Sequence, residues 1–261
     1  MPARPDGRDT VRVLDVRSAD YRRAFELLLA GTDEKAVTHA RLSALVARLP
    51  ARSVFVDIGA GAGDTTAHVG RSFARTVAVE PNASLREALR RACPEAEILP
   101  RPVESVELPA GSADLVLCCH VLYYLPRATW AATVRRMLGW LRPGGEIWIL
   151  LQNADNACLR MVRHFTGAHF DLAPLAAELR EGRDGPVAAC SLERLPCAYR
   201  TARLDDAVDV AEFMLNVPSL ARQDPLPALQ ELCDYVRREC ADPAGGYRID
   251  HSQDLLRVRR A

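Results

Sequence analysis

Three glycines occupy alternate positions directly after an apolar run, in the stretch VFVDIGAGAGDTT from Val54 to Thr66. A strand that runs into glycines and then into a helix brings backbone N–H groups close to a ligand in an open α/β sheet. Glycine suits this place because it has no side chain to keep the backbone away. The loop therefore predicts a ligand site at the end of a strand, but by itself it is weak evidence for any ligand class.

Short β-branched runs alternate with helical patterns through the middle of the chain. The predicted strands span residues 53–58, 75–80, 96–100, 113–119 and 146–152, and the predicted helices span 64–74, 82–93 and 127–141. Because near-continuous apolar strands alternate with helices, the pattern indicates an α/β fold with a parallel sheet covered on both faces. The stretch LRPGG, Leu141 to Gly145, predicts a sharp turn between the last of these helices and its strand.

Helical patterns flank this core on both sides. They span residues 19–29 and 33–49 before it, and 154–165, 172–179, 208–215 and 227–238 after it. The region 187–204 is predicted as irregular or strand, and 254–260 as a final strand. We expect residues 1–50 to form an N-terminal helical cap and residues 51–261 to form one compact domain, since no repeat or low-complexity linker interrupts the chain.

Composition excludes several classes of protein. The chain has 261 residues, 49% hydrophobic and 26% charged, which is enough to bury a sizeable core. No apolar run approaches the roughly 18 residues of a membrane span, and the polar start lacks the core of a signal peptide, so a cytoplasmic protein without membrane contact is expected. The 34 basic residues balance the 34 acidic ones without a dense basic stripe, which argues against nucleic acid as a partner.

The eight cysteines include no C-x-x-C pair, and several lie inside apolar runs. Without an export signal, this pattern favours buried free thiols over a metal site or a disulfide framework.

Acidic residues flank the glycine loop and restrict its ligand. A dinucleotide pattern read from Gly59 and Gly61 requires glycine at position 64, where Asp64 stands instead. Asp57 before the loop and Asp64 after it suit a ligand that carries ammonium or sulfonium charge and no phosphate.

Two further strand ends carry polar residues. Glu80 ends the second strand, where a carboxylate can accept both hydroxyls of a ribose, and Pro81 fixes the turn that follows. After the third strand comes PVES, where Val103 offers backbone groups and Glu104 a carboxylate to an adenine edge. This order of loops predicts an adenosine without phosphates.

These motifs resemble those of the seven-stranded, Rossmann-like methyltransferases that use S-adenosylmethionine. The resemblance rests on VDIGAGAGD, VAVEPN, ADLVLCCHVLYYLP and LRPGGEIWIL, which cover Val54 to Leu151 in the expected order. It implies a mostly parallel seven-stranded sheet with helices on both faces. It further implies that Gly59, Gly61 and Gly63 approach the methionine part of the donor, Glu80 holds the ribose, Val103 or Glu104 lies at the adenine, and Cys119 and His120 lie near the methyl group.

Two segments are similar to the histamine N-methyltransferase branch, namely LCCHVLYYLPRATW and YRRAFELLLAGTDEKA. Matching positions in that branch implies that Glu34, His120 and His251 bind the acceptor. Tyr124 would supply an aromatic wall, and Tyr21 would cover the donor. Histidines stand at two positions where that branch has amides, so histamine itself is not the expected acceptor.

The expected activity is methyl transfer from S-adenosylmethionine to nitrogen of a small molecule or a short peptide. An acceptor ammonium must lose its proton before it can react, and His120, with an ordinary pKa of about 6.5, could accept that proton while Glu34 attracts the cation. In the alternative in which both residues are structural, His120 hydrogen-bonds a backbone carbonyl and Glu34 only stabilises the start of a helix. An O-methyltransferase acting on a carboxylate or phenol, and a non-catalytic S-adenosylmethionine-binding protein, remain open alternatives; the oligomeric state is not legible.

Overall fold

A computed structural model of the chain describes residues 8–15, 18–181, 187–216 and 223–261. Its helices are α1 Ala19–Gly31, α2 Glu34–Val46, α3 Asp64–Gly70, α4 Ala83–Ala92, α5 Trp130–Trp140, α6 Ala157–Thr166, α7 Ala173–Glu181, α8 Leu204–Leu215 and α9 Leu229–Glu239. Its strands are β1 Val54–Ile58, β2 Arg75–Val79, β3 Glu97–Leu99, β4 Ala113–Cys119, β5 Leu141–Gln152, β6 Val187–Leu195, β7 Ala198–Thr201, β8 Tyr247–Asp250 and β9 Gln253–Arg260.

The chain divides into two compact units, each built from three segments. The sheet unit comprises Ala36–Leu151, Asp171–Leu195 and Gln253–Ala261. The helical unit comprises Met1–Lys35, Gln152–Phe170 and Pro196–Ser252. This division differs from the expected boundary at residue 50, because segments from the middle and the end of the chain join the first 35 residues. Whether residues 1–50 act as a cap stays a prediction.

The sheet unit contains seven strands in the order β3-β2-β1-β4-β5-β9-β6. Strands β1 to β5 pair in parallel, whereas β6 pairs antiparallel with β9. The predicted mostly parallel seven-stranded α/β fold is therefore confirmed. Its chain order reverses direction at β1, which lies between β2 and β4, and ligands of such sheets bind outside the carboxyl ends of the strands at this switch point.

Large apolar side chains from the central strands form the core of the sheet unit. Phe55, Leu115, Leu117, Trp148 and Leu150 are fully buried in one cluster. Burying side chains of this size stabilises the fold by roughly 1.5–3 kcal/mol each. The strand ends are thereby held on a rigid support.

The helical unit has its own core and a small sheet. Buried side chains of α6, α8 and α9 form one cluster, which includes Val162, Leu215 and Leu232. Strands β7 and β8 pair antiparallel as a separate two-stranded sheet. Gly31 at the end of α1 lies against this sheet, since an added Cβ would come 2.4 Å from Cε2 of Tyr199.

The structure departs from the predicted elements in several places. Helix α3 ends at Gly70 rather than residue 74, because tighter turns take over there, with the N–H of Phe73 donating to the carbonyl of Gly70. Strand β5 begins at Leu141, where the sequence predicted a turn, because Leu141 already pairs with Ala113 before a bulge. Strand β8 was not predicted at all, since it is only four residues long and too short for a clear periodic signal.

Among the described residues, no helix combines the length and the apolar character needed to cross a bilayer.

A buried ion pair joins neighbouring strands β5 and β9. Both side-chain oxygens of Glu146 accept from the guanidinium of Arg257 at 2.9 Å, and Glu146 also accepts from Nε1 of Trp148 at 2.6 Å. We expect Arg257→Met to lower the free energy of unfolding by about 2–3 kcal/mol, because it leaves a buried carboxylate without its cation. The double variant Glu146→Gln with Arg257→Met should recover much of this loss in urea unfolding. A single variant as stable as the native protein would contradict this role.

Candidate functional site

The glycine loop folds back on the end of β2. The N–H groups of Gly59 and Ala60 both donate to the carbonyl oxygen of Val79, at 2.8 and 3.0 Å. The loop therefore starts at the junction of two parallel strands and leads directly into α3. This places it at the carboxyl edge of the sheet, where the sequence predicted a ligand.

The three glycines of the loop have positive φ angles but different surroundings. A Cβ on Gly59 would come 2.3 Å from Cγ2 of Val121, and one on Gly63 would come 3.0 Å from Leu89 and Ala92 of α4. A Cβ on Gly61 would meet nothing within 4 Å, at a φ of +58°. Gly59 and Gly63 thus permit close packing within the protein, whereas Gly61 leaves space open beside the loop.

The carboxylate of Glu80 ties this loop to the turn after β2. One oxygen accepts from the N–H of Gly61 at 2.8 Å, and the other accepts from the N–H of Asn82 at 2.7 Å. Arg86 donates to the carbonyls of Glu80 and Pro81 and so fixes the same turn. Each carboxylate oxygen has a second lone-pair site, so Glu80 can still accept hydroxyl groups while it shapes the loop.

The two aspartates beside the loop differ in burial. Asp57, at 2% exposure, accepts from the hydroxyl of Thr66 at 2.6 Å. Asp64 is exposed in the first turn of α3. Together with Glu80 they give this edge of the sheet a negative character, which favours a cationic ligand and disfavours a pyrophosphate.

Arg136 of α5 holds the loop after β3. Its guanidinium donates to the carbonyl of Glu104 at 2.7 Å and to that of Val103 at 2.5 Å. The Val103 side chain is buried, whereas the Glu104 side chain is exposed. Of the two candidates for an adenine contact, Glu104 offers a side chain to solvent and Val103 offers backbone.

His120 follows β4 in a left-handed conformation with a φ of +57°, and among the described residues no other non-glycine residue has a positive φ. Its N–H donates to the carbonyl of Leu150 at 2.9 Å, and its ring stacks on Tyr123 with centroids 5.9 Å apart. Such backbone conformations cost about 1–3 kcal/mol and cluster at functional sites. The sheet pairing and the ring stack hold His120 in this conformation.

The adjacent tyrosines point to different environments. Tyr123 is buried, whereas Tyr124 is 67% exposed. Both belong to the short 3-10 turn Leu122–Tyr124, which is separated from His120 by Val121. Only Tyr124 is therefore open to a ligand, although its role as an aromatic wall stays a prediction.

All eight cysteines carry free thiols. Burial, together with the negative charge of Asp57, raises the pKa of the Cys118 thiol to about 12. Burial, and then the charges of Asp57 and Asp64, raise the pKa of Cys93 as well. Because a thiolate is the reactive form, neither cysteine is suited to nucleophilic chemistry at neutral pH. Cys119, half-buried at the end of β4, stays a predicted donor contact.

The helical unit contains Tyr21, Glu34 and His251. Tyr21 packs on Phe213 with ring centroids 5.1 Å apart, which joins α1 to α8. Nδ1 of His251 lies 3.0 Å from a carboxylate oxygen of Glu34, so the structure brings two predicted acceptor residues together. His251 itself is fully buried, and its contact with the acceptor stays a prediction.

Sequence comparison identifies the segment that contains this glycine loop. Residues 56–149 match the family model described as a methyltransferase domain. An uncharacterized methyltransferase from Mycobacterium bovis is 32% identical over 100 residues, which are 38% of this chain and 40% of that protein. The match thus spans two fifths of the relative's length.

Solved structures extend the likeness to most of the chain. A putative methyltransferase from Bacillus halodurans has a TM-score of 0.61 at 13% identity, covering 85% of this chain and 97% of its own. The sheet unit has the class I methyltransferase fold. The N-methyltransferase NodS from Bradyrhizobium japonicum, in complex with S-adenosylhomocysteine, has a TM-score of 0.55 at 16% identity and covers 93% of this chain and 99% of its own.

Three residues that contact the loops of this site from neighbouring elements were not predicted from the sequence. Arg136 lies over 30 positions from the loop it holds, and Val121 contacts Gly59 across two strands. Arg86 lies in the first turn of α4, shortly after Glu80, so its nearness in the chain could have indicated it. Nothing in the sequence indicated the other two.

The different surroundings of the glycines predict different effects of one added methyl group. We expect Gly61→Ala to weaken S-adenosylhomocysteine binding by about tenfold or more, because its Cβ enters the open space. Gly63→Ala should chiefly lower the melting temperature, since its Cβ overpacks against α4. Gly144→Ala, with a φ of +79° and nothing near its Cβ, controls for backbone strain. If the Gly61→Ala and Gly144→Ala proteins bound S-adenosylhomocysteine with equal affinity, the placement of Gly61 beside the donor would be refuted.

A second prediction concerns Glu80. Glu80→Ala should weaken S-adenosylhomocysteine binding by about 1.5–3 kcal/mol, the range for a lost hydrogen bond to a charged group. It should also lower the melting temperature, because two backbone N–H groups lose their acceptor. Glu87→Ala on the exposed face of α4 is the matched control. Unchanged calorimetric affinity in a folded Glu80→Ala protein would contradict the ribose role.

Proposed function

We propose that this protein is an S-adenosylmethionine-dependent methyltransferase that transfers a methyl group to nitrogen of a small molecule or a short peptide. One observation carries the proposal. At the carboxyl ends of β1 and β2, the open side of left-handed Gly61 lies beside a buried carboxylate, Glu80, that accepts the N–H of Gly61. This arrangement suits a ribose with a neighbouring cationic group, and the methyltransferase match of residues 56–149 supports it.

The residues present fit S-adenosylmethionine. Glu80 would accept the ribose hydroxyls, Gly61 would give the methionine part room, and the loop at Val103 and Glu104 would meet the adenine. The acidic surroundings of the loop, Asp57 included, match the positive charge of the donor. When bound, this cofactor supplies an activated methyl group on a sulfonium centre.

The chain's own residues bind and deprotonate the acceptor. Because an ammonium has no lone pair, the acceptor nitrogen must first give up its proton. The proposal assigns proton acceptance to Nδ1 of His120, since Nε2 is buried. In the sheet unit, Tyr124 walls the acceptor site and Pro81 borders the donor. For the helical unit, the resemblance implies that Glu34 binds the acceptor cation and that Tyr21 covers the donor. Orientation by such contacts supplies the larger part of the acceleration, up to about 7–11 kcal/mol.

Nitrogen is preferred over oxygen as the acceptor atom for two reasons. The resemblance to the histamine N-methyltransferase branch assigns Glu34 to an amine, and the structurally similar NodS is an N-methyltransferase. O-methylation of a carboxylate or phenol remains the second candidate, because the same donor site serves either atom. A non-catalytic S-adenosylmethionine-binding protein is the third.

A panel of acceptors tests this proposal directly. Purified protein is incubated with methyl-labelled S-adenosylmethionine and one of four acceptor sets: 2-phenylethylamine and putrescine, a dipeptide amide, phenols, or carboxylic acids. We expect label on the amines or the dipeptide amine, with the product's methyl position read by mass spectrometry. Methyl esters or aryl ethers alone would establish the oxygen alternative. No transfer despite measurable donor binding would establish the non-catalytic one.

Variants of His120 separate its proton chemistry from its backbone. We expect His120→Ala to lower the single-turnover rate near pH 7 by about 10²-fold with little change in donor affinity. His120→Asn is the sharper control, because asparagine tolerates the left-handed conformation but cannot accept a proton at this pH. It should be about as slow as the alanine variant. Near-native turnover by His120→Asn would make His120 an orienting contact and leave deprotonation to another base.

A further inference from the structure

We propose that His251 and Thr32 form a positioning pair that fixes the carboxylate of Glu34, and that His251 does not itself contact the acceptor. The proposal rests on the proposed function in one respect, the role of Glu34 as the carboxylate that binds the acceptor cation. It assigns to His251 a task that differs from the substrate contact implied by its sequence position.

Both ring nitrogens of His251 face a polar partner. Nε2 lies 2.7 Å from the hydroxyl oxygen of Thr32. Nδ1 lies 3.0 Å from Oε2 of Glu34, within ion-pair distance but off the line of a well-aligned hydrogen bond. The ring is fully buried, whereas the Glu34 side chain is 22% exposed. Between the imidazole and the carboxylate, Glu34 is therefore the one that can reach a ligand.

Thr32 connects His251 and Glu34 through its hydroxyl group. Its hydroxyl oxygen accepts the N–H of Glu34 at 3.1 Å and contacts the imidazole. Thr32 ends α1 and Glu34 begins α2, so this hydroxyl caps the second helix while it meets the ring. A carboxylate on the first turn of a helix is also favoured by the helix dipole. The backbone and the side chain of Glu34 are thus held by one small network.

The segment that carries Thr32 and Glu34 is bound to the small sheet next to His251. Asp33 accepts from the N–H of Ala198 at 2.7 Å and from Arg200 at 3.2 Å. Burial by itself would raise the pKa of the Asp33 carboxyl group, but the hydrogen bonds from Ala198 and Arg200 lower this pKa. The N–H of His251 in turn donates to the carbonyl of Cys197 at 3.1 Å. Because β7 and Cys197 directly before it anchor the two segments, the separation between the ring and the carboxylate is restricted.

The proton arrangement follows from this geometry. A proton on Nδ1 lies on the side of the ring that faces the Glu34 carboxylate at ion-pair distance, and the Thr32 hydroxyl serves Nε2 as donor or acceptor. Bare Nδ1 would instead place a lone pair against a carboxylate oxygen, which is repulsive. Asp250 precedes His251, but its Oδ1 accepts from both the N–H and the hydroxyl of Ser252. Glu34 is therefore the carboxylate that His251 orients.

The first arm of the test reads the ring directly and needs no acceptor. Nitrogen-15 spectra of the full-length protein at pH 7 report which ring nitrogen of His251 carries a proton. We expect Nδ1 to be protonated, and we expect its resonance to shift in Glu34→Gln and in Thr32→Val. A neutral ring protonated only on Nε2 overturns the proposal. An Nδ1 resonance that is unchanged in both variants overturns it as well.

The second arm uses matched pairs of variants. Asparagine places its amide near the position of Nδ1, and glutamine places its amide near the position of Nε2. We therefore expect His251→Gln to raise the KM for the fastest amine of the acceptor panel by about tenfold with kcat changed little, and His251→Asn to retain most of the native KM. Thr32→Val should raise the same KM, and Thr32→Ser should restore it.

Binding of the donor is the control for the acceptor measurements. The KM for S-adenosylmethionine should stay within about twofold in all four variants, which a general loss of structure would not allow. Equal KM values for the amine within each pair would make His251 and Thr32 purely structural and overturn the proposal. If the panel shows no amine acceptor, the proposed function fails, whereas the ring spectra still decide whether the positioning pair exists.

Discussion

The buried carboxylate of Glu80 is the interaction on which the donor site depends. It accepts one N–H from the glycine loop and one from the turn after β2, and so links two strand ends that are far apart in sequence. Without this link, the N–H groups of Gly61 and Asn82 would have to find other acceptors. A single acidic side chain thereby sets the shape of the loop and retains lone pairs for a ligand.

Left-handed backbone follows two adjacent strands at the carboxyl edge of the sheet. The three loop glycines and His120 all have positive φ angles, and they follow two adjacent strands, β1 and β4. Close packing explains Gly59 and Gly63, whose missing side chains admit Val121 and α4. Packing does not explain Gly61 or His120. These two residues therefore carry the functional interpretation of the site, one for the donor and one for the acceptor.

Much of the sheet unit could be predicted from the sequence, because its strands are short apolar runs between clear helix starts. The strand Ala113–Cys119 was predicted to the residue, and the loop glycines and Glu80 were found because their residue types are unusual at strand ends. Contacts made by ordinary residues across the fold were not predictable. Arg136 on the loop at Val103 is one such contact.

The helical unit was harder to predict for a related reason. Its three segments meet only in the folded chain, so the proximity of Glu34 to His251 leaves no local pattern. The short strand Tyr247–Asp250 belongs to a two-stranded sheet, and four residues are too few for a clear periodic signal. His251 was a candidate acceptor contact by resemblance alone, and its complete burial could not be predicted because burial is not visible in a polar stretch.

The central claim is that the site takes an adenosine with a sulfonium centre and no phosphate. Titration calorimetry of the native protein with S-adenosylmethionine, S-adenosylhomocysteine and NAD tests it most directly. The acidic loop predicts binding of both S-adenosyl compounds at one site per chain and no measurable binding of NAD. Tight binding of NAD with no binding of S-adenosylmethionine would contradict the claim.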